Sequence, residues 1–63
     1  MKKTELLKKI HELIWENDDL MNQETLFSLQ DLIDIEIIKE AKKGNLEIKK
    51  YNNGYIYFIK IIK

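Results

Sequence analysis

The dipeptide Asn53-Gly54, set between two strand-like stretches, decides most of what the C-terminal third of this chain can become. Both residues tolerate positive φ, so the pair predicts a two-residue type I′ hairpin turn. A turn at those two residues fixes the pairing: Leu46 faces Ile61 and Ile48 faces Ile59 on one side. Glu47 with Lys60, Lys49 with Phe58 and Tyr51 with Ile56 then share the other side. A three-residue turn would oppose Leu46 to Lys60 and Glu47 to Ile59, matching apolar with charged, so the two-residue register is favoured. The hairpin is expected over residues 46–62. Its outer face then carries Tyr51, Ile56, Phe58 and Ile62, more apolar surface than a solvated sheet face holds.

The N-terminal part reads as helix. Leu6, Leu7, Ile10, Leu13 and Ile14 recur at helical spacing and predict a helix over 3–16, closed by Asn17-Asp18-Asp19. Leu26, Leu29, Ile33, Ile37 and Ala41 form a second stripe. Ser28 followed by Asp31 resembles a capping box and predicts a short helix over 20–27 and a longer one over 29–43. One unbroken helix is the alternative. Lys42, Lys43 and Gly44 mark the C-terminal end, through the helix dipole and a left-handed cap. The expected fold is therefore a single α+β domain over 1–63, with two or three helices packed on one face of an antiparallel β-hairpin.

Sixty-three residues lie near the lower limit for a self-sufficient core. The chain has no cysteine and one histidine, so disulfides, thiolate metal sites and His-rich metal sites are excluded, leaving association as the usual remaining support. Charged residues interrupt the apolar positions after Met1, and no apolar run reaches the roughly 20 residues of a membrane span. A soluble cytoplasmic protein, without a membrane partner, is expected. Charge is segregated: residues 1–9 carry +3, residues 10–38 carry −8 and residues 39–63 carry +5. Solvated helix faces account for such runs, and the acidic middle also offers a docking site for a basic partner.

The residues for enzymatic chemistry are few. His11, the only imidazole, and Ser28, the only serine, fall on different elements, and Ser28 is taken as a helix cap. Asp31 and Asp34 share a helix face, but a body this small offers little cavity to separate their pKa values. Neither glycine belongs to a phosphate loop. No catalytic residue, cofactor, metal site or small-molecule substrate is expected. His11 reads as a partly exposed helix residue.

Binding remains. Trp15 lies off the first helical stripe, in line with Lys8 and His11, and with Tyr51, Ile56, Phe58 and Ile62 it forms the expected protein interface. The free edge of the 55–62 strand adds a route to a homodimer through the hairpin. A small inhibitor or accessory factor, of the kind phages and other mobile elements encode, is the leading reading. The order helix, helix, helix, hairpin also resembles winged helix-turn-helix domains, with Asn53-Gly54 at the wing tip. That resemblance implies a DNA-binding regulator whose helix end and wing carry Lys42, Lys43, Lys49 and Lys50. Tyr51, Tyr55 and Tyr57 add stacking surfaces for single-stranded bases. Acids at Asp31, Asp34 and Glu36 on the would-be recognition helix, and the absence of arginine, weigh toward a protein partner.

Overall fold

A computed structural model describes residues 1–63 and shows an α+β arrangement of two helices followed by a two-stranded antiparallel hairpin. Helix α1 spans Lys3–Glu16, a short 3-10 turn spans Asp18–Leu20, and helix α2 spans Gln23–Lys42. Strands β1, Leu46–Lys50, and β2, Ile56–Ile61, complete the chain.

Each boundary has a local cause. Asn17 stops α1: its Nδ2 donates to the Leu13 carbonyl at 2.8 Å, and its backbone N–H serves the last-turn carbonyls. Asn22, extended at φ −71°, ψ 162°, starts α2 by accepting the Thr25 N–H on its Oδ1 at 2.8 Å. The expected break near residue 28 is absent, and α2 is one helix. Once Asn22 caps the start, Ser28 has no orphan amide to serve and sits exposed in mid-helix. The far end closes as anticipated. Gly44 takes φ 82°, its N–H donates to the Ala41 carbonyl and the Asn45 N–H to that of Glu40, a paired left-handed cap.

The hairpin register matches expectation over most of its length and departs at the turn. Leu46↔Ile61, Glu47↔Lys60, Ile48↔Ile59 and Lys49↔Phe58 pair as the sequence predicts. At the tip the Gly54 N–H donates to the Tyr51 carbonyl at 2.9 Å and the Tyr51 N–H to that of Tyr55 at 2.8 Å. The loop is thus Asn52–Gly54, three residues, and only Gly54 has positive φ, at 93°. With Asn53 out of the left-handed region, a type I turn followed by a left-handed glycine replaces the type I′ turn. A bulge between Lys49 and Lys50 absorbs the extra loop residue, so Lys50, not Tyr51, pairs with Ile56. Tyr57 is the residue left over, and Ile56 turns inward.

The core follows from this. Leu7 of α1, Ile37 of α2, Leu46 of β1 and Ile56 and Ile59 of β2 form one buried cluster, flanked by Ile33, Ile38, Ala41, Ile48 and Ile61. The helical stripes are rotated from those expected. On α1 the buried line is Thr4, Leu7, His11 and Ile14; on α2 it is Leu26, Gln30, Asp34, Ile37 and Glu40. Polar residues occupy these lines because several bind the hairpin or its junctions. Thr4 Oγ1 donates to the Lys63 carbonyl at 3.3 Å, and His11 Nε2 lies 2.9 Å from the Ile56 carbonyl. His11 is therefore buried, where partial exposure was expected. Glu40 ties three elements: Asn45 Nδ2 donates to it at 3.1 Å, Lys43 Nζ at 3.2 Å, and Lys3 of α1 stands 3.9 Å away.

No helix is long and apolar enough to cross a membrane.

Candidate protein-binding surfaces

The outer face of the hairpin is where aromatic side chains accumulate. Tyr51 and Tyr57 pack ring to ring with centroids 4.6 Å apart, and Lys49 Nζ sits 5.2 Å from the centre of the Phe58 ring. Both Tyr57 and Phe58 are exposed, although they are consecutive and a regular strand would send them to opposite faces. The bulge explains this. It places two residues between the inward-facing Ile56 and Ile59. Ile62, just past β2, is also exposed.

Of the five expected interface residues, Tyr51, Phe58 and Ile62 lie outside as anticipated. Ile56 does not: it is 1 % exposed and belongs to the core, because the three-residue loop and bulge invert its facing. Trp15 is elsewhere. Half-buried on α1, it makes edge contacts with His11 at 6.5 Å and Tyr55 at 6.2 Å, while Tyr55 stacks on Phe27 at 5.6 Å. Trp15 and Tyr55 thus clamp the hairpin tip to the helices rather than offering free rings. Tyr57 joins the outer face in place of Ile56. Its signal would have been the bulge, which the Asn-Gly pair concealed.

The four lysines of the nucleic-acid reading do not form one stripe. Lys43 is held by Glu40, and Lys49 covers Phe58 on the outer face. Lys50 opposes Ile56 on the inner side, where its charge reaches Asp34. Lys42 is exposed in the last turn of α2. The separate third helix required by winged-helix order has no counterpart, since residues 23–42 are continuous.

A polar layer lies between the helices and the hairpin tip. Gln30 is completely buried with no hydrogen-bond partner in the chain for either side-chain polar atom, and Trp15 Nε1 and Asp34 Oδ1 are also unpaired. Desolvation pushes the Asp34 carboxyl above the usual range, and the Asp31 charge adds to this, while His11 and Lys50 oppose it. Asp31, Asp34, Ile35, Ile38, Asn53, Gly54 and Tyr55 line a shallow open cleft of about 480 Å³ beside this layer. Elsewhere, hydrogen bonds from Lys39 and Lys3 hold Glu36 below the usual range, and those from Asn45 and Lys43 do the same for Glu40. No three His, Cys, Asp or Glu side chains gather where they would hold a metal ion.

No family model, curated protein or solved structure matches the chain.

Proposed function

We propose that the chain is a small non-enzymatic module that acts by binding another protein through the outer face of its hairpin. One observation supports this reading above the others: Tyr51, Tyr57 and Phe58 are exposed on the outer side of a two-stranded sheet, with Ile62 exposed just past the end of β2. Tyrosine and phenylalanine on a rigid strand supply contact area at low entropic cost, the composition typical of interface centres. Lys49 and Lys60 lie on the same side, opposite Phe58 and Glu47 in register, so the fitting partner presents an apolar patch with an acidic rim. The small size suits an inhibitor or accessory factor.

Affinity capture with the wild-type chain beside Phe58→Lys and Tyr57→Lys tests this, with and without nuclease. Capture of one protein that survives nuclease and is lost in both variants is the expected result. Equal capture by the variants, or no captured protein, overturns it.

The alternative is a nucleic-acid-binding regulator, favoured by one feature: Lys49 and Lys60 frame the aromatic cluster as in stacking platforms for single strands. It requires binding that weakens steeply with salt and disappears with nuclease. The dispersal of Lys42, Lys43, Lys49 and Lys50 argues for weak rather than groove-directed contact.

A further inference from the structure

The helical layer leaves apolar side chains uncovered on the side away from the hairpin. Leu6 and Leu13 of α1 are 46 % and 48 % exposed, and Leu29 and Leu32 of α2 are 38 % and 64 % exposed. Helical spacing groups Leu6, Ile10 and Leu13 on one flank of α1, turned from the Thr4–Leu7–His11 line that meets the hairpin. The same spacing groups Leu29, Leu32 and Ile33 with Glu36 on one flank of α2. Lys3 bridges to Glu36 at 3.3 Å, so these two flanks adjoin across the antiparallel helix pair. The two rows therefore form one continuous apolar strip on the open face of the helices.

Charge identifies what fits on it. Because the helices are antiparallel, Lys2, Lys3, Lys39, Lys42 and Lys43 gather at one end of the layer, where Glu5, Glu36 and Glu40 offset part of their charge and leave it basic. Glu12, Glu16, Asp18, Asp19 and Glu24 gather at the other. A second copy related by a two-fold axis in the plane of the face, perpendicular to the helices, lays each basic end over the partner's acidic end. A two-fold along the helices would stack like charges. The molecule is a flat slab of 33 × 28 × 15 Å, so its broad face is large enough for the roughly 800 Å² per partner of a stable interface.

We propose that this strip is a homodimer interface, in which Leu6, Leu13, Leu29 and Leu32 meet their counterparts in an antiparallel two-fold arrangement. The hairpins then lie on the outer sides of the dimer, each with its aromatic face free. Self-association is thereby assigned to the helices instead of the hairpin, and the assignment does not rest on what the hairpin binds.

Sedimentation equilibrium of the wild type, Leu32→Lys, Leu13→Lys and Phe58→Lys tests it, with far-UV circular dichroism confirming that each remains helical. A wild-type dimer weakened about thirtyfold or more by either leucine change, the size of a central interface residue, is expected. Phe58→Lys should leave it intact. Should a lysine variant lose its helical signal, Leu13→Gln takes its place. Lys39→Glu should weaken the dimer, and adding Glu24→Lys should restore it, because a two-fold perpendicular to the helices lays α2 over the partner's α2 with its ends exchanged. A wild type that stays monomeric at its highest soluble concentration overturns the interface. So does a dimer broken by Phe58→Lys but not by the leucine changes. Failure of the double charge reversal to restore association overturns the orientation.

Discussion

Replacing Ile56 by alanine tests whether the bulged register is real. Ile56 is 1 % exposed and lies in the buried cluster with Leu7, Ile37, Leu46 and Ile59. Alanine removes three carbons, about 2.4 kcal/mol at roughly 0.8 kcal/mol each, and the cavity left behind raises the loss to about 3–4 kcal/mol. A domain of 63 residues has a total stability of roughly 3–9 kcal/mol, so this change removes a large share. Phe58→Ala is the control. Its ring is 38 % exposed on the outer face, with Lys49 above it, and its loss costs about 1 kcal/mol. Urea titration followed by circular dichroism measures both. In a hairpin with a regular two-residue turn, Ile56 would join Phe58 outside and the two substitutions would cost alike. Equal losses, or a larger loss for Phe58, would refute the bulge. In thermal melts the Ile56 variant should fall by about 12–32 °C, given about 4–8 °C per kcal/mol for a domain of this size.

Three further outcomes follow from side chains in the helices. Asn22→Ala removes the cap of α2 and should cost about 1 kcal/mol in the same titration, whereas Ser28→Ala should be neutral; the reverse order would restore a break near residue 28. Gln30→Leu replaces a fully buried, unpaired amide with an apolar group of similar size and should raise stability by about 1–3 kcal/mol; a loss would mean that the amide is paired in solution. Asp34 has a raised carboxyl pKa in the fold, so the native state holds its proton more tightly than the unfolded chain. Its contribution is greatest at low pH and is lost as pH rises through the raised value. Asp34→Asn should therefore be the more stable protein at neutral pH, and the advantage should shrink on acidification. An unchanged difference from pH 4 to 7, roughly the span over which a raised carboxylate titrates, would contradict the burial argument.

Much of the fold was legible because short-range rules governed it. The left-handed cap at Gly44 and the stop at Asn17 rest on local chemistry that the residues display directly, and the pairing of Leu46 with Ile61 follows the match of apolar with apolar across the strands. Two features were hidden. The turn at Asn53-Gly54 admits both a two-residue and a three-residue loop, and the chain takes the latter with a compensating bulge. That combination keeps the predicted register beyond Lys49 while inverting Ile56. The helix stripes were hidden for a different reason. Apolar periodicity selected Leu6, Leu13 and Leu29, but the sides facing the hairpin are those carrying Thr4, His11, Gln30 and Asp34. Hydrogen bonds from Thr4 and His11 to the hairpin backbone help seat these polar residues inside, and no periodicity rule counts such bonds. The leucines so displaced are the ones left uncovered on the helical face. The candidate interface was legible at Tyr51, Phe58 and Ile62, where strand alternation survived the bulge.

Opposite faces of a thin slab are proposed for different tasks: the hairpin for a partner and the helices for a second copy. Backbone amide NMR spectra recorded across a dilution series test that division directly. Concentration-dependent shifts are expected at Leu6, Leu13, Leu29 and Leu32, with Tyr51, Tyr57 and Phe58 unchanged. Shifts that gather on the hairpin instead, with the helix amides still, would contradict it.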